Sequence, residues 1–200
     1  EMNTLLKNMM LALLSLGIVQ AVWADDVPDL QKTLQSARQG NAAAQFNLGL
    51  MYDKGQGGVR QDHAEAFKWY SQAAKQGFVL AQYNLGVMYD RGLGVRKDYA
   101  QAVKWYRQAA QQGFAQAQYN LGVMYYDGLG VRKDYSQAAK WMRQTAQQGN
   151  ARAQYNLGVM YAEGQGVRQN LKVAKEWFGM ACNNGNQSGC ENYRRLQSGY

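Results

Sequence analysis

The chain has 200 residues, 46% of them apolar and 18% charged, with one histidine, two cysteines and one proline. So few histidines and cysteines exclude a metal centre rich in either. Lysine and arginine outnumber aspartate and glutamate by 22 to 14, a formal charge of +8; this suits an acidic or envelope-associated partner, although its even spread along the chain serves solubility first.

In chain order, Lys7 precedes an apolar run from Met9 to Val19, and Val22-Trp23-Ala24 then meets Asp25-Asp26. This pattern predicts a secretory signal peptide over residues 1–24, cut after Ala24; the run is short for a membrane span. Cleavage removes one acid, Glu1, and one base, Lys7, so the charge is unchanged. The mature protein is expected in the periplasm or outside the cell, with no integral membrane segment, and export argues against a nucleic-acid partner.

After the leader one interval dominates. Trp69, Trp105, Trp141 and Trp177 stand 36 residues apart, as do Gly77, Gly113, Gly149 and Gly185. Asn-Leu-Gly follows the same interval at 84–86, 120–122 and 156–158, with a further copy at 47–49. A stable period of this length predicts a stacked repeat protein. The repeats divide as 44–80, 81–116, 117–152 and 153–188, between an N-terminal capping helix over 25–43 and a C-terminal capping helix over 189–200.

Residues 81–116 show the physics of one unit. Ala81, Leu85 and Tyr89 form one stripe of a first helix. Gly86 costs helix stability, up to about 1 kcal/mol, and implies close approach of a neighbouring helix. Gly92 ends the helix in a left-handed conformation. Val95 is expected to tuck into the joint. Asp98 then caps a second helix with Gln101 in capping-box position, as Asp134 does with Gln137 and Asp62 with Glu65; in the fourth unit Asn170 can cap but Val173 cannot reach back. The second helix presents Ala102, Trp105, Tyr106, Ala109 and Ala110, and Gly113 ends it. No single pair has enough apolar surface to stand alone, so Trp69, Trp105, Trp141 and Trp177 are expected in the structural core between stacked units.

Cys182 replaces the core alanine of the other units, and Cys190 lies eight residues on. In an exported chain this pair is expected to form a disulfide that pins the last turn. Two free thiols are the alternative. His63 is too far along the chain to complete a metal site with them, and no metal or cofactor is expected.

The run Ala-Gln-Tyr-Asn-Leu-Gly-Val-Met-Tyr, the Gly-Leu-Gly-Val-Arg-Lys-Asp-Tyr loop and Ala-Val-Lys-Trp-Tyr-Arg-Gln-Ala-Ala-Gln-Gln-Gly resemble the Sel-one-like repeat family, relatives of tetratricopeptide repeats. The resemblance covers residues 44–188. It implies an all-α solenoid of αα-hairpins in a right-handed superhelix, with first helices lining the concave side, and a non-catalytic scaffold or adaptor for a protein or peptide, expected as a monomer. The Cys182/Cys190 spacing is similar to that of secreted cysteine-rich members, some described as penicillin-binding or weakly β-lactamase active.

Carried over from tetratricopeptide repeats, the groove positions are Phe46, Asn47, Leu50 and Lys54; Tyr83, Asn84, Val87 and Arg91; Tyr119, Asn120, Val123 and Asp127; and Tyr155, Asn156, Val159 and Glu163. Asn47, Tyr83, Asn84, Arg91, Tyr119, Asn120, Tyr155 and Asn156 are the expected partner contacts. The asparagines are poor helix formers whose amides can donate to and accept from a peptide backbone. Equally, they can bond the adjacent helix and set superhelical pitch. Arg60, Arg96, Lys97, Arg132, Lys133 and Arg168 form a second repeated feature, a basic ladder of loops.

No catalytic set stands out. Ser-x-x-Lys and Lys-Thr-Gly are missing, and Ser136 to Lys140 has the wrong spacing for a penicillin-recognising serine enzyme. The Gly-x-Gly loops recur in every unit, which marks them as loop geometry rather than phosphate cradles. Three readings follow: an exported interaction scaffold, a β-lactam-binding protein, and a secreted or surface protein that contacts host cells.

Overall fold

The computed structural model describes residues 29–199; the expected leader, 1–24, lies outside them. Ten helices and no strands are found among the described residues. They are α1 (Leu30–Arg38), α2 (Ala42–Lys54), α3 (His63–Lys75), α4 (Val79–Arg91), α5 (Tyr99–Gln111), α6 (Ala115–Asp127), α7 (Tyr135–Gln147), α8 (Ala151–Glu163), α9 (Leu171–Asn183) and α10 (Gln187–Gln197). Each helix packs on the one before and the one after it, so the chain is an all-α solenoid of helical hairpins.

The buried clusters sit between units rather than within them. Ala66, Tyr70, Ala73 and Ala74 of α3 join Ala81, Leu85 and Met88 of α4. The same set recurs between α5 and α6 and between α7 and α8. Leu93, Val95, Val131 and Val167 of the loops pack against these clusters. Each hairpin therefore depends on its neighbour for apolar cover.

The tryptophans are not the buried anchors. Trp69, Trp105, Trp141 and Trp177 are half-buried, each against a cluster that includes the preceding second helix or, for Trp69, α1. The next residue is the one that disappears from solvent: Tyr70, Tyr106, Met142 and Phe178 are at most 2% exposed. The indole spans the seam, where part of its large surface stays wet. The following side chain points at the glycine of its own hairpin. A Cβ on Gly86 would lie 2.6 Å from Cδ1 of Tyr106, and one on Gly49 the same distance from Tyr70. In three units the glycine in Asn-Leu-Gly is thus a seat for a ring, and in the third Gly122 faces Met142.

Helix ends behave as their residues dictate, with one correction. Asp62, Asp98, Asp134 and Asn170 accept hydrogen bonds from first-turn amides, and Gly92 ends α4 with φ 73°. The capping box is only half made. The Asp98 amide donates to the Tyr89 carbonyl at 2.9 Å, and Asp62, Asp134 and Asn170 do the same to Tyr52, Tyr125 and Tyr161. That carbonyl comes from the paired first helix and takes the place of the Gln101 or Glu65 side chain.

A repeated glutamine device ties the units together. Gln45, Gln82, Gln118 and Gln154 are 4–5% exposed. Each side chain donates to an alanine carbonyl in the last turn of the preceding second helix, at Ala37, Ala74, Ala110 and Ala146. Each also accepts from a residue at the end of its own unit: Gln76, Gln112, Gln148 and Asn184. Buried amides with both ends satisfied fix the spacing of units. At the C-terminal end a Cys182–Cys190 disulfide joins α9 to α10.

Candidate site between the third and fourth first helices

The expected groove positions do not form one uniform surface. In the first two units they are filled by aromatic packing. Phe46 lies 5.6 Å from the Tyr70 ring and 5.1 Å from Phe78. Tyr83 repeats this against Tyr106 at 5.9 Å and Phe114 at 5.0 Å. Asn84 and Asn120 lie on the side of the Tyr70 and Tyr106 phenols, which burial and then the Asp53 and Asp90 carboxylates push upward; the Tyr70 hydroxyl has no hydrogen-bond partner. Tyr106 donates to Asp90 at 3.4 Å. Asn84 and Asn120 therefore face buried phenols rather than the cavity described below.

The third unit breaks the pattern at three places. Met142 stands where Tyr70 and Tyr106 stand, Asn150 where Phe78 and Phe114 stand, and Tyr126 where Asp53 and Asp90 stand. Asn150 caps α8 by accepting from the Ala153 amide, whereas Phe78 and Phe114 supply no side-chain cap. Tyr119 thereby loses both aromatic neighbours. The Tyr126 hydroxyl instead donates to Oε1 of Gln165 at 2.7 Å, and its ring meets Tyr135 edge-on at 5.0 Å.

The result is a cavity of about 370 Å³, lined by Tyr119, Val123, Tyr126, Asp127, Met142, Tyr155, Asn156, Val159 and Met160. It brings together Tyr119, Val123 and Asp127 of α6 with Tyr155, Asn156 and Val159 of α8, six of the positions singled out from the sequence. Met142, Tyr126 and Met160 were missed. Comparing the four units position by position finds the first two as departures, but which gap they open is set by the helices on either side. Asn156 has no second-helix hydroxyl to meet; its Nδ2 donates to the Tyr119 hydroxyl at 3.4 Å, a long and weak bond. Asn47, Tyr83, Asn84, Arg91 and Asn120 do not line this cavity.

Electrostatics also differ along the solenoid. The last residue of each first helix reads Lys54, Arg91, Asp127 and Glu163. Among the described residues the ion pairs are His63–Asp53 and Lys68–Glu65, so neither Asp127 nor Glu163 has a counter-cation. Burial pushes the Tyr126 phenol up, and the Glu163 and Asp127 carboxylates push it the same way. Asp127 lines the cavity, and Glu163 ends the facing helix α8. Elsewhere Arg60, Arg96, Lys97, Arg132, Lys133 and Arg168 are all exposed; Lys97 and Lys133 lie over the Tyr99 and Tyr135 rings at 4.5 and 5.6 Å. His63 is held by Asp53 at 2.8 Å, and no group of residues able to hold a metal ion is found among the described residues.

Fold and site define an all-α repeat scaffold, with side chains of successive hairpins converging on a small cavity. The Sel1 repeat model matches residues 42–78, 79–114, 115–150 and 151–186. The chain belongs to the Sel1 repeat family, the Sel-one-like family of the sequence motifs. Among solved structures it is similar to a protective antigen present in uropathogenic Escherichia coli strains that displays this fold, with 43% identity and a TM-score of 0.77 over 80% of this chain and 34% of that one. A Sel1 repeat protein from Oxalobacter formigenes is 37% identical with a TM-score of 0.71, over 82% and 64% of the two chains. The chain therefore spans about a third and somewhat under two thirds of these relatives. Cysteine-rich protein B of Helicobacter pylori shares the fold at 22% identity and a TM-score of 0.52. No curated protein matches.

Proposed function

We propose that this protein is an exported interaction scaffold that holds a peptide or an envelope protein against its first helices, with the cavity between α6 and α8 as the anchoring point. Sel1 repeats generally mediate protein–protein interaction. The observation that carries the reading is the cavity itself: a concave, mostly apolar site with a few polar groups is the usual form of a binding pocket, and here Asn156 lines it with an amide held only by a long contact to Tyr119. Export is supported by the Cys182–Cys190 disulfide, which suits an oxidising compartment, and by the relative that is a protective antigen. No described helix is long and apolar enough to cross a membrane.

The asparagines separate the binding role from the structural one. Asn156→Ala should lose partner capture with little change in melting temperature. Asn84→Ala and Asn120→Ala, which lie outside the cavity, should keep capture. Capture is read by photo-crosslinking from Val159 in cells that make the protein, with Ala100 on the exposed face of α5 as control. Equal labelling from both positions would remove the site.

A further inference from the structure

The cavity between α6 and α8 is apolar within and acidic at its mouth, in a chain that is basic throughout. Val123, Val159, Met142 and Met160 supply aliphatic and thioether surface, and Tyr119, Tyr126 and Tyr155 supply three rings. Asp127 is the one charged residue in the lining. Glu163 holds the same place at the end of α8 that Asp127 holds at the end of α6. Neither carboxylate is paired among the described residues, and no lysine or arginine lines the cavity.

Both carboxylates are exposed, so an apolar ligand gains nothing from them. A cation is attracted by them and by the negative faces of tyrosine rings. An aliphatic stem ending in a cation matches both parts of the site, since lysine and arginine bury their methylenes and keep the charge at the polar edge. The volume of about 370 Å³ is near the low end of small-ligand pockets, roughly 300–1,000 Å³, and suits one long side chain. On these grounds, and resting on the groove reading above, we infer that the cavity takes an arginine or lysine side chain of an extended peptide, with its charge between Asp127 and Glu163 and its backbone against Asn156. The overall charge of +8 points to an acidic partner for the molecule as a whole; the local charge points to a basic residue at this one position of it.

The test uses the full chain with 13C-methyl methionine and four acetylated, amidated peptides, Ser-Ala-Xaa-Ala-Ser, with Xaa as arginine, lysine, leucine or glutamate. The arginine and lysine peptides should shift the methyl signals of Met142 and Met160 and leave those of Met88 unmoved. Asp127→Asn and Glu163→Gln should each weaken the arginine peptide by roughly threefold, in line with solvent-exposed charge pairs. Y126D/M142Y, which copies the second unit's residues into the third, should abolish the shifts. Leucine or glutamate binding as tightly as arginine, or arginine binding that ignores both carboxylate substitutions, overturns the inference and leaves the groove reading standing. Silence from all four peptides overturns both. The two carboxylate variants keep the test decisive if the double variant fails to fold.

Discussion

Tyr70 carries a buried hydroxyl with no hydrogen-bond partner, an arrangement that costs free energy. Phe178 fills the equivalent place in the fourth unit without one. Tyr70→Phe should therefore be neutral or stabilising by up to about 1 kcal/mol, read from the urea midpoint. The same phenols create a pH dependence. Burial, then the Asp53 or Asp90 carboxylate, raises Tyr70 and Tyr106 above the ordinary 10.0. A raised phenol favours the neutral form in the folded state, so its contribution is complete below the unfolded value and is lost as pH climbs beyond it. Stability should decline above pH 10, and the Y70F/Y106F pair should flatten that decline in urea titrations between pH 8 and 11. The residue scale also shows what periodicity hides. Trp105 and Tyr106 are adjacent and both aromatic, so their sequence pattern does not rank them; only the geometry puts Tyr106 over Gly86 and leaves Trp105 at a seam.

Each first helix carries a glycine that its sequence alone makes unfavourable. At Gly86 an added Cβ meets Tyr106 ring carbons at 2.6 and 2.7 Å, and the stiff ring cannot withdraw. At Gly122 it meets Cε of Met142 at 3.0 Å, the far end of a flexible side chain. The helix-propensity gain of alanine, about 1 kcal/mol, is the same at both. Overpacking should win at the first, with Gly86→Ala destabilising by roughly 1–3 kcal/mol, while Gly122→Ala stays near neutral. Matched thermal melts decide this, and equal losses would show that both seats are equally rigid. At this scale much was legible. Helix boundaries followed from Asp98, Gly92 and Gly113 because caps act over a few residues. The glutamines at 45, 82, 118 and 154 were not recognised, since a polar residue beside an apolar stripe looks solvent-facing until the carbonyl it serves arrives from the preceding unit.

Taken whole, the molecule is a line of interfaces. Its stability should be close to a sum of unit and neighbour terms, so hydrogen exchange should be slowest in α5, α6 and α7 and fastest in α1 and α10. The Cys182–Cys190 link closes a loop of sequence separation 8; a loop that short contributes about 2–3 kcal/mol in the chain-entropy account. Reduction should therefore raise exchange in 187–197 and leave α2 to α7 protected; uniform acceleration would mean that the array unfolds as one unit. The sequence by itself determined the solenoid, its helices and the family. A 36-residue period, Asp caps and glycine stops are local or near-local signals, and each hairpin repeats them. Tertiary structure alone decided where the repeat stops being regular in space. Met142, Asn150 and Tyr126 lie in three different segments of the chain, and their shared consequence, a cavity lined by Asn156 and one carboxylate, Asp127, exists only where α6, α7 and α8 meet.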